Sequence, residues 1–188
     1  PATAASLAID WDRIGRELDQ TPDADRRRAQ LRRLQDRVAR AGGAGGDEVG
    51  LAWLSLGNAY LRVGEIDTAI DVYLTATTIR PLDAEAHYLL GLAHKKGGAS
   101  EQAMQAFRRA LFLEPDWWPA SFHLASLLRA AGQIREARGE YQNAARVLRE
   151  PTPGPRLRSR LADDDSTTAY RGDILALCER RIHLDRRY

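Results

Sequence analysis

Between Gly50 and Glu150 the apolar positions follow one template, and that template returns every 34 residues. Trp53, Leu56, Gly57, Tyr60, Ala69, Tyr73, Ala76 and Pro81 mark a first unit. His87, Leu90, Gly91, His94, Ala103, Phe107, Ala110 and Pro115 hold the same places in a second. Ser121, Leu124, Ala125, Leu128, Ala137, Tyr141, Ala144 and Arg149 hold them in a third. Steps of three and four residues between apolar places are helical. Each unit is therefore expected to be two antiparallel helices, in the first unit 49–63 and 66–79, with Gly64 at the turn. Gly98 and Gly132 make the equivalent turns, because a residue that accepts positive φ ends a helix at little cost. Pro81 and Pro115 break the second helix of their units, and Pro151 does so two places late in the third.

The flanks are helical by the same reasoning. Leu7, Trp11, Ile14 and Leu18 share one helical face, and Ile9 adds to the apolar content. Thr21-Pro22-Asp23 stops that helix, since the residue before proline avoids helical angles. Pro22 can then open the next one. Residues 23–41 form a helix with Leu31, Leu34, Val38 and Ala41 on one stripe. The run Gly42 to Gly46, broken only by Ala44, is expected to hold no helix. Residues 150–166 read as a loop, from Pro151-Thr-Pro-Gly-Pro155 and Asp163-Asp164-Asp165. Residues 166–185 read as a final helix, capped by Ser166 or Thr167, with Ile174, Leu177, Cys178 and Ile182 as its apolar stripe.

The period of 34, with W-x2-L-G-x2-Y and then A, aromatic, A and P, resembles the tetratricopeptide repeat (TPR). The resemblance implies an all-α fold: a right-handed α-solenoid of three TPR helix pairs, with flanking N-terminal helices and a C-terminal capping helix. Three segments are expected. Residues 1–49 hold the N-terminal helices and the Gly-rich linker. Residues 50–151 hold the repeats, as 50–83, 84–117 and 118–151. Residues 152–188 hold the loop and the cap. Gly57, Gly91 and Ala125 are expected where the two helices of a unit cross, with Ala69, Ala103 and Ala137 opposite. No unit buries its apolar face alone, so the units must stack.

Composition narrows the functional classes. The chain has 188 residues, 29% charged, with a net charge of +2. That balance disfavours a nucleic-acid trap. Seven arginines nevertheless crowd Arg26 to Arg40. They read first as a solvated face, with an acidic partner or nucleic acid as the alternative. No apolar run approaches the ~20 residues of a membrane span. The single cysteine, Cys178, forms no internal disulfide and fits a cytoplasmic setting. The start, Pro1-Ala-Thr-Ala-Ala, has neither Met nor a signal peptide, which leads us to expect a piece of a longer chain.

Catalytic chemistry is not evident. His87 and His94 occupy the Trp-like and Tyr-like packing places of the second unit. His123 and His183 have no ligands at metal spacing. Cys178 lies on an apolar stripe without a neighbouring His. The Gly42–Gly46 run lacks the strand and the Lys of a phosphate loop. We expect no catalytic, cofactor-binding or metal-binding residue and no small-molecule substrate.

A binding surface remains. First helices line the concave side of a TPR stack. By repeat position the groove should present Leu54, Asn58, Leu61 and Arg62, then Tyr88, Leu92, Lys95 and Lys96, then Phe122, Ser126 and Arg129. This is an apolar floor with a cationic edge, suited to a protein segment bearing Asp or Glu. Some co-chaperone TPRs grip a chaperone's C-terminal carboxylate with Lys and Asn. The matching places here are Leu54, Asn58, Leu92, Pro119 and His123, and only Asn58 fits.

Ala86-His87-Tyr88-Leu89-Leu90-Gly91-Leu92, Arg109 to Asp116, Pro119 to Ala125 and Tyr141 to Leu148 resemble the TPR extension of CheR-type chemoreceptor methyltransferases. Members include those of the frizzy motility and Wsp surface-sensing pathways. Thr167-Thr168-Ala169 adds to the likeness, although the Gly-Leu pair expected before Thr-Ala is missing. The resemblance implies a parent enzyme that carries a methyl group from S-adenosylmethionine to receptor glutamates, with its catalytic domain before residue 1. It also implies that this segment regulates that enzyme, with a chemoreceptor cytoplasmic segment or the methyltransferase domain as partner. A free-standing TPR adaptor or scaffold is the alternative.

Overall fold

The computed structural model describes residue 7 and residues 9–41, 46–150 and 171–184. Gly42 to Gly45, the loop 151–165, the caps Ser166 and Thr167, and the Thr167-Thr168-Ala169 signature lie outside the described residues. Among the described residues all regular structure is helical. The fold class is the expected one: an α-solenoid built of TPR helix pairs with added helices at either end of the sequence. The chain divides into two compact units, the first up to Leu82 and the second from Asp83.

Unit one holds α1 (Trp11–Gln20), α2 (Ala24–Arg40), α3 (Gly46–Arg62) and α4 (Ile66–Ile79). Leu7 was expected on the first helix but precedes it. The Asp10 carboxylate accepts from the Arg13 N–H at 2.9 Å and so fixes the helix start at Trp11. Leu7 is nonetheless buried, and its N–H donates to Glu48 at 3.1 Å. Pro22 does not open α2 either. Asp23 caps it, accepting from the Asp25 and Arg26 N–H groups, so the helix begins after that residue. On the α2 stripe Leu31 and Val38 are fully buried, while Leu34 and Ala41 stay half-buried. The helix-free reading of the glycine run is corrected at Gly46, which begins α3. Asp47 and Glu48 in that first turn favour the helix N-terminus and offset the glycine.

Polar ties hold the N-terminal helices to α3 and the start of α4. The Tyr60 hydroxyl donates to Gln35 at 2.8 Å. Arg62 pairs with Asp19, and Arg28 with Glu65. Inside the α3–α4 pair a Cβ on Gly57 would strike the Tyr73 ring at 2.4 Å. The nearest neighbour of this glycine is thus the Tyr73 ring, and Ala69 is fully buried.

Unit two holds α5 (Ala84–Lys96), α6 (Ser100–Leu113), α7 (Trp118–Ala130), α8 (Ile134–Arg149) and α9 (Arg171–Leu184). The starts of α5 and α7 are one repeat period apart, as are those of α6 and α8. Gly98 and Gly132 sit at φ +79° in the turns, where a β-carbon would be strained. Gly91 packs on the Phe107 ring as Gly57 does on Tyr73. α9 closes the last pair. Cys178 and Ile182 are buried in one cluster with Tyr141, Ala144, Val147 and Leu148. The Arg171 guanidinium donates to the carbonyls of Val147, Leu148 and Glu150, so a side chain serves the acceptors that the end of α8 leaves open.

Candidate functional site

The α5 and α7 helices of unit two carry most of the expected contact residues. Two local devices set their frame. Asp83 caps α5 by accepting from the Glu85 N–H at 3.0 Å. Pro119 stands in the first turn of α7, where its missing N–H has no cost. Tyr88, Leu92 and Lys95 then follow one another along α5 at helical spacing, and Phe122, Ser126 and Arg129 do so along α7.

An aromatic cluster lies beneath this face. The Tyr88 ring centroid is 6.0 Å from Phe107, 5.8 Å from Trp117 and 6.2 Å from His123. His123 in turn stacks on Phe107 at 5.6 Å and meets the edge of Phe122 at 5.5 Å. These separations suit offset and edge-on pairs, each contributing ~0.5–1.5 kcal/mol beyond burial. Tyr88 is only 4% exposed. Its expected role as an open groove floor is corrected: the ring is spent on the core.

Lys95 reaches over this cluster, with its Nζ 3.1 Å from His123 Nδ1. A lysine ammonium only donates, so Nδ1 accepts and the ring proton sits on Nε2. Burial pushes the His123 pKa down to about 3, and the Lys95 charge adds to the effect. Burial also lowers the Lys95 pKa. The pair therefore consists of a neutral imidazole holding an ammonium group at a fixed place, half-open to solvent.

Sequence reasoning did not join Lys95 to His123. It also missed a buried polar set at the third repeat. Ser121 fills the place held by Trp53 in the first unit and is fully buried. Asn143 donates to Ser121 Oγ at 2.9 Å and to the Pro115 carbonyl at 3.1 Å. Burial raises the pKa of nearby Glu140, against a hydrogen bond from Ser121. A small polar residue in a slot meant for Trp was the available signal.

The remaining expected residues divide by exposure. In unit one Leu54 is fully buried and Asn58 nearly so. Asn58 Oδ1 accepts from the Tyr73 hydroxyl at 2.6 Å, which commits that side chain to the core. Those two do not stand open as groove contacts. Leu61 is half-buried, and Arg62 is exposed but paired with Asp19. In unit two Leu92, Phe122, Ser126 and Arg129 are half-buried and Lys96 is exposed. Phe122 also packs against the buried cluster of α7, α8 and α9, with its ring 6.2 Å from that of Tyr141.

No group of three or more metal-ligating side chains forms among the described residues. Cys178 is fully buried, and burial, with Glu179 beside it, pushes its thiol up to about 11. A thiol so placed is protonated at neutral pH and is a poor nucleophile. Among the described residues no helix is long and apolar enough to cross a membrane.

Comparison with known proteins agrees with the helix pairs. Residues 57–98 match a family model described as TPR repeat, and residues 84–116 match one described as tetratricopeptide repeat. The chain carries TPR repeats. It is 43% identical over 70 residues to the probable biofilm formation methyltransferase WspC of Pseudomonas putida, covering 37% of this chain and 16% of that protein. It is 33% identical over 91 residues to tetratricopeptide repeat protein 37 of Xenopus laevis, covering 48% of this chain and 6% of that protein. The chain thus spans a small part of the curated relatives it matches. Among solved structures it resembles the Yersinia enterocolitica type III secretion chaperone SycD in complex with a peptide of the translocator YopD. That match has a TM-score of 0.54 and 15% identity, over 69% of this chain and 91% of that one, and bears on the fold alone.

Proposed function

We propose that this TPR segment is a non-catalytic docking domain that regulates a chemotaxis-type, S-adenosylmethionine-dependent receptor glutamate methyltransferase through protein contacts. The observation that carries the reading is the identity with WspC, which is concentrated in the repeats rather than spread over a catalytic region. The α5–α7 face supplies the contact chemistry. Lys95, seated on His123, and the exposed Lys96 face outward beside the half-open Leu92, Phe122, Ser126 and Arg129. Such a surface suits a segment with carboxylates beside a short apolar patch. The partner in this reading is a chemoreceptor cytoplasmic segment or the enzyme's own methyltransferase domain.

A pull-down of the chain against those two partners tests the proposal. Retention of either, weakened by the paired change Lys95→Glu and Lys96→Glu, is the expected result. Retention of neither would refute it and favour the TPR adaptor or scaffold reading, which the similarity to repeat proteins such as that of Xenopus laevis also supports.

A further inference from the structure

A second surface lies in unit one. A cleft of about 1200 Å3 opens between α1 and α2. Small-molecule sites enclose roughly 300–1,000 Å3, so this space suits a larger occupant. Its open apolar lining comes from Ile9, Pro22, Ala29 and Leu34, with Ile14 buried beneath them. Four arginines stand around that lining: Arg13, Arg26, Arg33 and Arg37.

Three carboxylates share the cleft but are already engaged. Asp10 and Asp23 cap the two helices. Glu17 accepts from Gln30 at 2.7 Å and lies 3.5 Å from Arg13. The cations are less committed. Arg33 makes no hydrogen bond or ion pair with the described residues. Arg26 reaches Asp23 only at 3.7 Å, with its side chain 82% exposed. Through Arg26 and Arg33, α2 thus points lightly committed positive charge at the rim of an apolar trough.

From this arrangement we propose that the α1–α2 cleft docks an acidic amphipathic helix of a partner protein. The partner's apolar stripe lies on Ile9, Ala29 and Leu34, and its carboxylates meet Arg33 and Arg26. The ten residues of α1 give the trough a length of about 15 Å, or nearly three helical turns. A nucleic acid is a poorer occupant. Its phosphates would leave the apolar lining unused.

Fluorescence anisotropy with the full chain tests the proposal. The probe is a labelled peptide of about four helical turns, with Leu at i, i+3 and i+7 and Glu elsewhere. Its Lys-for-Glu counterpart and a DNA duplex serve as comparisons. The acidic peptide should bind, and binding should weaken on going from about 50 mM to about 300 mM salt. Arg26→Glu with Arg33→Glu should weaken it about tenfold or more. Ala29→Glu, at an exposed place in the cleft, should weaken it too, while Lys95→Glu on α5 should not. Melting curves that match the parent keep these readings separate from unfolding. The proposal is overturned if the basic peptide or the duplex binds as tightly, or if the cleft variants keep full affinity.

Discussion

Gly91→Ala isolates the contact on which the second helix pair turns. A β-carbon built there lies 2.6 Å from Phe107 Cε1, 2.7 Å from Cδ1 and 3.1 Å from Cζ. Carbon atoms pack at ~3.5–4.0 Å, so the ring would have to retreat by about 1 Å. Phe107 is fully buried and bears on Tyr88 and His123, which leaves it little room. Two effects compete. Alanine is favoured over glycine within a helix by ~1 kcal/mol. Overpacking a dense core costs ~1–3 kcal/mol, and this contact is at the severe end. The net effect should be a loss of about 1–2 kcal/mol, or a fall in melting temperature of roughly 2–8 °C for a chain of this length.

Gly139→Ala is the control. It is helical too, but a β-carbon there meets nothing within 4 Å, so only the gain in helix propensity remains. Thermal melts followed by circular dichroism should move in opposite directions for the two variants. Adding Phe107→Leu to Gly91→Ala should relieve part of the strain, so the double variant should be more stable than the sum of the single losses predicts. Gly91→Leu should unfold the pair outright. A Gly91→Ala protein that melts at or above the parent, as Gly139→Ala should, would refute the packing argument.

Three further outcomes follow from the second unit. Burial holds the folded His123 pKa at about 3 against an ordinary 6.5, so the unfolded chain binds more protons between those values and stability is lost as the pH is lowered through that window. The loss due to this group should reach ~3 kcal/mol by pH 4, and His123→Gln should flatten the parent's dependence there in pH-dependent urea melts. Arg171→Met removes the donors that serve the end of α8 and should cost ~1–3 kcal/mol, read by denaturant unfolding; no change would separate α9 from the stability of the pair. The Cys178 thiol should react with a disulfide reagent far more slowly than a peptide thiol. Arg171→Met should speed that reaction, whereas rapid labelling of the parent would contradict its burial.

The repeat was legible because each template place has one physical demand. Ala69, Ala103 and Ala137 are all fully buried, and the turn glycines adopt the positive φ assigned to them. What opposes each glycine was less legible. Periodicity shows that a small residue is needed, but not that the pressing atom belongs to Tyr73 or Phe107. Helix starts at Asp10 and Asp23 turned on which carboxylate reaches a backbone N–H, a choice among several nearby polar residues. The contact face was legible in outline and misjudged in depth. Repeat position says which way Leu54 and Tyr88 point on their helices, not how much other chain comes to cover them. Lys95 and His123 lie 28 residues apart, so their contact exists only once α5 and α7 are side by side.

That difference in depth changes the kind of recognition the α5–α7 face can support. With Tyr88 withdrawn into the aromatic cluster, the open apolar area shrinks to the half-buried Leu92 and Phe122. Area of that size contributes little affinity at ~25 cal/mol per Å2. The cations must then supply selectivity, and the two lysines do so differently. Lys96 is exposed, so ordering it on a partner costs ~1.5–2 kcal/mol of side-chain entropy. Lys95 is already held by His123 Nδ1, so most of that cost is met before a partner arrives. Removing the imidazole should therefore weaken a carboxylate partner even though His123 never touches it. Replacing His123 by Leu keeps an apolar side chain in the aromatic cluster but frees Lys95. If that variant bound the partner as tightly as the parent, Lys95 would be an ordinary surface charge, and the preorganisation argued here would have no part in recognition.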